Sequence, residues 1–311
     1  MAAARALEDL NALALPALFA ELAGTGLVRR LFELARDEDL APPLGDITTR
    51  VWSPAEERVR ARLVVREAGV VAGLEAAPML LEILSPGARL EARAVDGAAV
   101  KRGDELAVIE GPTAEVLALE RTLLNVVGRL SGVATLTAEF VRRVPTGARC
   151  RVMDTRKTTP GMRVLEKYAV RCGGGFCHRL GLHDAVLVKD NHVAAVPLKE
   201  LAAHAERAAE RARRERALRF VEIEVDTLAQ LEELLRVRAG VIDIILLDNM
   251  EAGALRRAVA LRDERRPGLL LEASGGVTLE TIGAIAGSGV DRVSVGGLTH
   301  GARWLDVGLD V

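Results

Sequence analysis

The protein has 311 residues, half of them hydrophobic, so the chain can bury one barrel-sized domain and a smaller one. Its 42 basic and 44 acidic residues give a formal net charge of −2, which argues against a broad nucleic-acid-binding surface. The three cysteines, Cys150, Cys172 and Cys177, are too few and odd in number for a disulfide framework, and we expect reduced thiols in the cytoplasm.

The N-terminal region is predicted to be helical over about the first forty residues. Its apolar stretch from Ala12 to Ala20 is interrupted by Pro16 and flanked by acidic residues, so neither a signal peptide nor a membrane span fits. No later apolar run is long enough to cross a bilayer. Pro42 and Pro43 end the helical region, and the segment Gly45 to Arg50, GDITTR, predicts a tight loop.

Short β-rich runs follow from about Arg58 to Glu110, separated by turn dipeptides such as Asp96-Gly97. They resemble a biotinyl- or lipoyl-type β-sandwich without its modified lysine, so we interpret Lys101 as a surface residue and the segment as a scaffold. From Pro112 to Val144 apolar residues recur with the helical period, and Gly128 and Gly132 allow close helix packing.

After Pro145 six aliphatic runs alternate with helical patterns. The runs are RVMDTRK, AVLVKD, FVEIEV, DIILLDN, LLLEASGG and RVSVGG. Such alternation predicts an α/β fold whose parallel strands are buried on both faces, closed as a TIM-like barrel with fewer than eight strands. We place an N-terminal domain at 1–144 and the barrel at 145–297, and we expect the tail 298–311 to pack back on the first domain.

In such barrels the active site lies at the carboxyl ends of the strands. The residues at these ends are Asp154 to Lys157, Lys189, Glu224, Asp248, Ser274 to Gly276 and Gly296-Gly297. They overlap a basic, Gly-rich segment, Arg151 to His192, which predicts a pocket for a small and highly anionic substrate. Within it, Arg156 and Arg179 provide bidentate forks for carboxylate or phosphate, and Lys157 and Lys189 provide mobile point charges.

Two further groups of residues extend this interpretation. Glu224 and Asp248 are candidate oxygen ligands for Mg²⁺, although Asp248 alone is equally a helix N-cap. Glu222 shares a strand and a face with Glu224, so one of the two is alternatively an ion-pair partner in the barrel interior. The turns Ser274–Gly276 and Val295–Gly297 favour phosphate through backbone N–H groups and a helix dipole, or they merely close loops. The residues together describe a phosphosugar with a metal-bound diphosphate beside a small carboxylic acid.

Two other chemistries are less favoured by the sequence. A zinc site would use His178, His183 and His192 with Cys172 and Cys177, but the cysteine spacing is too wide and has no downstream pair. A Schiff base on Lys189 is conceivable at a barrel strand end. The surrounding arginines are more than a carbonyl substrate needs.

Long motifs in a fixed order carry a resemblance to a known family. The run DTRKTTPGMRVLEKYAVRCGGGFCHRLGLHDAVLVKDNH is followed by VEIEV, IILLDN, EASGG and SVGGLTH, and preceded by GDITT and ERTLLNVVGRLSGVAT. From about Leu44 to Gly301 the chain resembles the quinolinate phosphoribosyltransferases, also called nicotinate-nucleotide pyrophosphorylases (carboxylating). The resemblance implies an N-terminal α/β-sandwich domain joined to an incomplete α/β barrel, and a homodimer that shares each active site. The sequence leaves open a hexamer.

The implied reaction joins quinolinate to phosphoribosyl pyrophosphate (PRPP) with Mg²⁺, giving nicotinate mononucleotide, pyrophosphate and CO₂ in NAD synthesis. No nucleic-acid or membrane partner is expected. By resemblance, the acid is bound by Arg156, Arg179 and Lys189 with Thr155, Lys157 and His178 beside them. Arg121 reaches the neighbouring subunit's site, and Ser274, Gly275, Gly276, Val295, Gly296 and Gly297 bind the 5′-phosphate. The catalytic residues implied are Lys157, Lys189, Glu224 and Asp248, the last two also binding metal.

Three other functions compete with this one. A sister enzyme associated with molybdenum-transport operons has the same fold and part of the same motifs, and it acts on another small acid. Nicotinate phosphoribosyltransferase binds one carboxylate and needs fewer guanidinium groups. A non-catalytic sensor of a phosphometabolite has no need for Glu224, Asp248 and Lys189.

Overall fold

The computed structural model describes residues 9–52, 54 and 56–311; the start of the predicted N-terminal helical region lies outside them. These residues form two compact units that interleave along the chain. The sandwich unit comprises Ala12–Ala138, Lys157–Gly175 and Leu298–Val311. The barrel unit comprises Glu139–Arg156 and Phe176–Gly297 with the described residues up to Asn11. Within the described residues, no helix is both long and apolar enough to cross a membrane.

The described residues form twelve α-helices and twelve β-strands, each type numbered in chain order. The helices are α1 Leu15–Ala23, α2 Leu27–Leu40, α3 Ile47–Trp52, α4 Ala77–Leu84, α5 Thr113–Arg142, α6 Arg163–Cys172, α7 Asp190–Val193, α8 Leu201–Glu215 (after a 3₁₀ turn, Leu198–Glu200), α9 Leu228–Leu234, α10 Ala252–Arg265, α11 Ile282–Ala286 and α12 Gly297–His300. The strands are β1 Arg58–Val65, β2 Gly69–Val70, β3 Arg89–Ala92, β4 Ala99–Val100, β5 Glu105–Pro112, β6 Arg151–Met153, β7 Val186–Val188, β8 Val221–Val225, β9 Ile244–Asp248, β10 Leu270–Ser274, β11 Arg292–Ser294 and β12 Val307–Asp310.

The sandwich unit is built on an antiparallel sheet in the order β12-β1-β5-β3, with a small β2-β4 pair. Strand β12 pairs with β1, so the C-terminal tail adds an edge strand to this sheet. The long helix predicted after Pro112 is confirmed as α5. Its Gly132 is required by close packing, because a Cβ there would lie 1.9 Å from the carbonyl oxygen of Arg303.

The prediction of a tight loop at Gly45 to Arg50 is wrong, because Ile47–Trp52 is the short helix α3. The carboxylate of Asp46 caps it, accepting a hydrogen bond from the Thr49 backbone N–H at 3.1 Å and another from the Thr49 hydroxyl. These two bonds lower the pKa of Asp46. An N-cap contact of this kind satisfies a backbone donor that would otherwise lack a partner in the first turn.

Helix α6 groups with the sandwich unit, which differs from the contiguous boundaries drawn from the sequence. Two buried polar contacts bind it there. Arg129 of α5 donates to the fully buried Glu166, at 3.0 Å from Nε, and the Tyr168 hydroxyl donates to Asp96 at 2.8 Å. Glu166 also accepts from the backbone N–H of Thr159, at 2.9 Å.

The barrel unit contains a six-stranded parallel sheet in the order β6-β11-β10-β9-β8-β7. Chain order therefore runs round the sheet, with β6 and β7 at its two edges, as in a barrel that is open between its first two strands. A single parallel bridge from Met153 to Phe176 extends the β6 edge. All six predicted strands are confirmed, and so is the fold class of an α/β sandwich domain with an incomplete TIM-like barrel.

Side-chain alternation along β8 determines which residues face the site. Val221 and Ile223 line a cavity of about 390 Å³ together with Leu201 and Ala205 of α8. Successive side chains of a strand point to opposite faces. Glu222 and Glu224 therefore point to the other face, away from the helix layer.

Candidate active site

The carboxyl ends of the parallel strands bring several predicted residues to one edge of the sheet. Asp248, the last residue of β9, is in register with Ser274, the last residue of β10. Glu224 of β8 is in register with Leu246, two residues before Asp248. The strand-end rule thus placed these residues at the same edge from the sequence alone.

Two guanidinium groups at this edge lie close enough to affect each other. Arg179 is only 7% exposed, and Arg156 is half-buried. Burial and the positive charge of Arg156 lower the pKa of Arg179, while the carboxylates of Glu222 and Asp184 act in the opposite direction. Like charges held together in a partly desolvated place favour an anionic ligand.

The segment that carries His178 and Arg179 is held by buried polar contacts. Asn11 brackets Cys177, donating to its carbonyl oxygen at 2.9 Å and accepting from its N–H at 2.7 Å. Asp154, at the end of β6, accepts the backbone N–H of His178 at 2.9 Å. Sequence reasoning missed Asn11, because its partner lies 166 residues away.

His178 is buried between two glutamates of the sheet. Its Nε2 lies 2.9 Å from Oε2 of Glu222 and 3.5 Å from Oε1 of Glu272. Phe220 contacts the imidazole edge-on at 4.9 Å between ring centroids. Of the two glutamates of β8, Glu222 is the one that pairs with a buried side chain, His178. No pattern in the sequence indicated that Glu272 joins this pair.

Lys189 and Glu224 form a direct ion pair, with Lys189 Nζ 2.5 Å from Glu224 Oε2. The lysine side chain is 47% exposed, whereas the carboxylate is buried. The backbone N–H of Lys189 donates to Nδ1 of His192 at 3.0 Å, which fixes the chain where β7 meets α7. The exposed lysine can turn to an anionic ligand, and the buried Glu224 then needs another positive charge nearby, since an unpaired buried carboxylate is costly.

Asp248 is held by its neighbour Asn249, which sequence reasoning missed. Asn249 has a left-handed backbone, φ 52°, and its side-chain amide donates to Oδ2 of Asp248 at 2.6 Å. Its backbone N–H donates to the carbonyl oxygen of Ser274 at 2.9 Å. A Cβ on Gly275 would lie 2.1 Å from Oδ1 of Asn249, so only glycine fits beside this amide.

The two glycine turns, both predicted to lead from a strand into a helix and to bind phosphate, differ in the structure. Gly275 and Gly276 have positive φ values of 91° and 59°, but α11 begins only at Ile282. Gly297 begins α12, which has four residues. The prediction of a strand-to-helix turn is therefore wrong at Ser274–Gly276, whereas Val295–Gly297 does join β11 to the short helix α12. Open space above Gly276 and Gly297 still leaves their backbones accessible.

Two predicted site residues belong to the sandwich unit. Arg121 is 68% exposed on α5, with Glu120 as an ion-pair partner at 4.0 Å. Lys157 is exposed, and its carbonyl oxygen accepts the Thr299 hydroxyl at 2.5 Å. Thr155, by contrast, is in the barrel unit beside Arg156 and is half-buried.

The cysteines do not take part in the one group of three metal-capable side chains that the described part of the chain contains. That group is His178, Glu222 and Glu272. All three cysteines are buried free thiols, and burial raises the pKa of Cys150 to about 12 and also raises that of Cys172. Thiols that stay protonated are poor nucleophiles and poor metal ligands.

Comparison with known proteins places these residues in a family. The family model for the quinolinate phosphoribosyl transferase C-terminal domain matches residues 133–310, and the model for the N-terminal domain matches residues 46–131. The chain belongs to the quinolinate phosphoribosyltransferase family. Motifs read from the sequence had already indicated this family, and the matches confirm it over most of the chain.

Individual relatives agree with the family assignment. The nicotinate-nucleotide pyrophosphorylase [carboxylating] of Mycobacterium leprae is 44% identical over 290 residues, which are 90% of this chain and 98% of the relative. The probable enzyme of the same name from Bacillus subtilis is 37% identical over 268 residues, covering 86% and 88% of the two chains. These names favour quinolinate phosphoribosyltransferases over the alternative of the molybdenum-associated enzyme.

Solved structures agree at the level of the fold. The nicotinate-nucleotide pyrophosphorylase of Francisella tularensis superposes with a TM-score of 0.81 at 31% identity, covering 97% of this chain and 99% of that one. Human nicotinic acid phosphoribosyltransferase superposes with a TM-score of 0.54 at 15% identity, covering 85% and 72%. The second likeness shows a shared fold alone.

Proposed function

We propose that the protein transfers the phosphoribosyl group of PRPP to the ring nitrogen of quinolinate and releases CO₂, giving nicotinate mononucleotide for NAD synthesis. The observation that carries this proposal is the pair Arg156 and Arg179. Two guanidinium groups close enough to interact, one of them buried, suit a ligand with two adjacent carboxylates better than a ligand with one.

Lys189 completes the acid site in this proposal. When the second carboxylate enters, Lys189 turns from Glu224 to the substrate, since its side chain is half exposed and its present bond is a single ion pair. Glu224 then faces the ribose with its full negative charge. Binding of the acid thereby frees Glu224 to act on the ribose. Thr155 and His178 orient the acid beside the two arginines.

Glu224 and Asp248 stabilise the positive charge that grows on carbon 1 of the ribose as pyrophosphate leaves. Preorganised charge acts without reorganisation during the reaction, and a single group of this kind contributes roughly 3–4 kcal/mol. The Asn249 amide holds Asp248 in position for this task. Ser274–Gly276 and Val295–Gly297 offer backbone N–H groups to the 5′-phosphate.

Mg²⁺ fits the donor set at this edge. Two carboxylates from adjacent strands, Glu224 and Asp248, together with diphosphate oxygens, are the ligands that this cation takes in phosphoryl and phosphoribosyl sites. When bound, it neutralises charge on the departing diphosphate. The experiment that tests its requirement is turnover in EDTA with Mg²⁺ restored.

Decarboxylation follows the bond between quinolinate nitrogen and ribose carbon 1. The ring is then a pyridinium, so the carbon–carboxylate bond can break with its electron pair left on the ring carbon beside the nitrogen. CO₂ leaves, and a proton adds to that carbon. Lys189 stabilises the negative charge that the carbon carries before protonation.

The working form is a homodimer in which Arg121 of one subunit completes the site of the other. Arg121 is exposed and holds only a distant ion pair, so it is available to a ligand outside its own subunit. Mixing the inactive variants Arg121→Ala and Lys189→Ala tests this arrangement. Random exchange restores about a quarter of wild-type activity, because half the dimers are mixed and one site in each is intact. No restoration would contradict a shared site.

The substrate is tested by product formation. Chromatography after incubation with PRPP and Mg²⁺ is expected to show nicotinate mononucleotide from quinolinate and none from nicotinate in the absence of ATP. Faster product formation from nicotinate would overturn the proposal.

Fractionation of cells checks the accompanying proposal that the enzyme works in the cytoplasm.

A further inference from the structure

Three ionisable side chains lie buried together in the barrel unit: His178, Glu222 of β8 and Glu272 of β10. Both glutamates are fully buried, and the imidazole Nε2 lies between their carboxylates, at 2.9 and 3.5 Å. A single N–H can donate one good hydrogen bond. A buried carboxylate needs a proton, a donor or a positive charge, so the two glutamates compete for what His178 offers.

The groups around Glu272 come from several elements. Arg292 of β11 has its Nη1 3.9 Å from Oε2 of Glu272, and Ser294 of the same strand favours the charged form. Cys150, just before β6, is close enough to interact but remains a neutral thiol. Burial and the charge of Glu222 outweigh these groups and His178, and they raise the pKa of Glu272 to about 7.

The cluster is electrostatically connected to the proposed acid site. Glu222, which pairs with His178, also acts on the guanidinium of Arg179, and Arg156 acts on the same guanidinium. His178 precedes Arg179 in the chain. A dianion bound to the two arginines therefore adds negative charge near the cluster. The cluster already holds two buried carboxylates and one imidazole between them.

We propose that Glu272 is a positioning residue for the acid substrate, which takes up a proton when the dicarboxylate binds and so keeps the buried charge balanced. The inference rests on the proposed function, because it needs a dianion at Arg156 and Arg179. The proton comes from solvent and forms an O–H bond on Glu272. No other bond changes.

The sign of the pH dependence follows from the added negative charge. It raises the pKa of Glu272 in the complex above its value in the free protein. Binding is therefore strongest at low pH and weakens as pH rises through the pKa of the free protein towards that of the complex. A difference of one pKa unit corresponds to about a tenfold rise in Kd between pH 6 and pH 9.

Glu272→Gln separates this role from a structural one. Glutamine has the shape of the protonated acid but cannot titrate, so its Kd is expected to be independent of pH. At pH 9 the variant is expected to bind at least as tightly as the wild type. A glutamate needed only for packing would lose affinity at every pH when replaced.

Calorimetric titration with phthalate provides the test, because phthalate has two adjacent carboxylates but no ring nitrogen to react. Both of its carboxyl groups are ionised at pH 7, where the protons exchanged are counted. Measurements at pH 7 in two buffers of different ionisation enthalpy count the protons exchanged. The wild type is expected to take up a fraction of a proton and Glu272→Gln none. Glu280→Gln, an exposed site on the same unit, is the charge-matched control and keeps the wild-type uptake.

Four results would overturn the inference. One is phthalate binding by the wild type that does not depend on pH and exchanges no proton. This measurement needs only the wild type, so it tests the inference even if the variant fails to fold. Another is a retained pH slope in Glu272→Gln. A third is one tightly held divalent ion per chain in purified wild type that is lost in Glu272→Gln, because a cation would then replace the proton. Failure of phthalate to bind at any pH would overturn the acid site itself, and with it this inference.

Discussion

The hydrogen bond from Asn249 to Asp248 is expected to position a catalytic carboxylate, and Asn249→Gly tests this role. Asn249→Gly removes the amide that donates to Asp248 at 2.6 Å but keeps a residue that tolerates the left-handed backbone, φ 52°. The backbone bond from residue 249 to the Ser274 carbonyl can therefore persist. The substitution therefore removes the side-chain hydrogen bond to Asp248 and leaves the backbone turn in place.

The expected magnitude follows from the charge on the acceptor. A hydrogen bond to a charged group contributes about 1.5–3 kcal/mol. If the bond holds Asp248 in its reacting orientation, kcat/KM falls by a factor of about 10 to 150. Thermal stability changes little, because both groups lie near the surface of the strand ends.

Steady-state kinetics and thermal melts on three variants distinguish the contributions. Asn249→Ala is expected to lose the same activity and about 1–2 kcal/mol of stability in addition, because alanine is strained at this φ. Asn249→Asp places a carboxylate beside Asp248 and is expected to be the least active of the three. Wild-type kcat/KM in a folded Asn249→Gly variant would refute a positioning role for the amide.

Two further predictions test the acid site and the fold. Arg156→Ala is expected to raise KM for quinolinate far more than KM for PRPP in initial-rate assays; equal rises would remove Arg156 from the acid site. Glu166→Ala leaves the buried Arg129 without its carboxylate, so chemical denaturation is expected to show a loss of about 3–5 kcal/mol. A loss below about 1 kcal/mol would mean that Arg129 finds another partner.

The features predicted from sequence are those that local patterns specify. Each of the six barrel strands is a short aliphatic run, and a parallel sheet brings the carboxyl ends of all six to one edge. Glu224, Asp248 and Ser274 were placed correctly for that reason alone. Family motifs then supplied the roles of the basic residues, which patterning cannot distinguish from solvated surface charge.

The features missed depend on contacts between distant parts of the chain or on backbone conformation. Asn11 holds Cys177 from 166 residues away, and Glu272 meets His178 only when the sheet curves round. The left-handed conformation of Asn249 and its fit against Gly275 leave no periodic signal. Helix α3 was missed because the Asp46 cap was interpreted as part of a turn.

The most direct test of the account is the release of CO₂ from carboxyl-labelled quinolinate, measured with and without PRPP and Mg²⁺. We expect release only when both are present, in a one-to-one ratio with nicotinate mononucleotide. Release without PRPP, or no release while PRPP still binds, would contradict a decarboxylating phosphoribosyl transfer at this site.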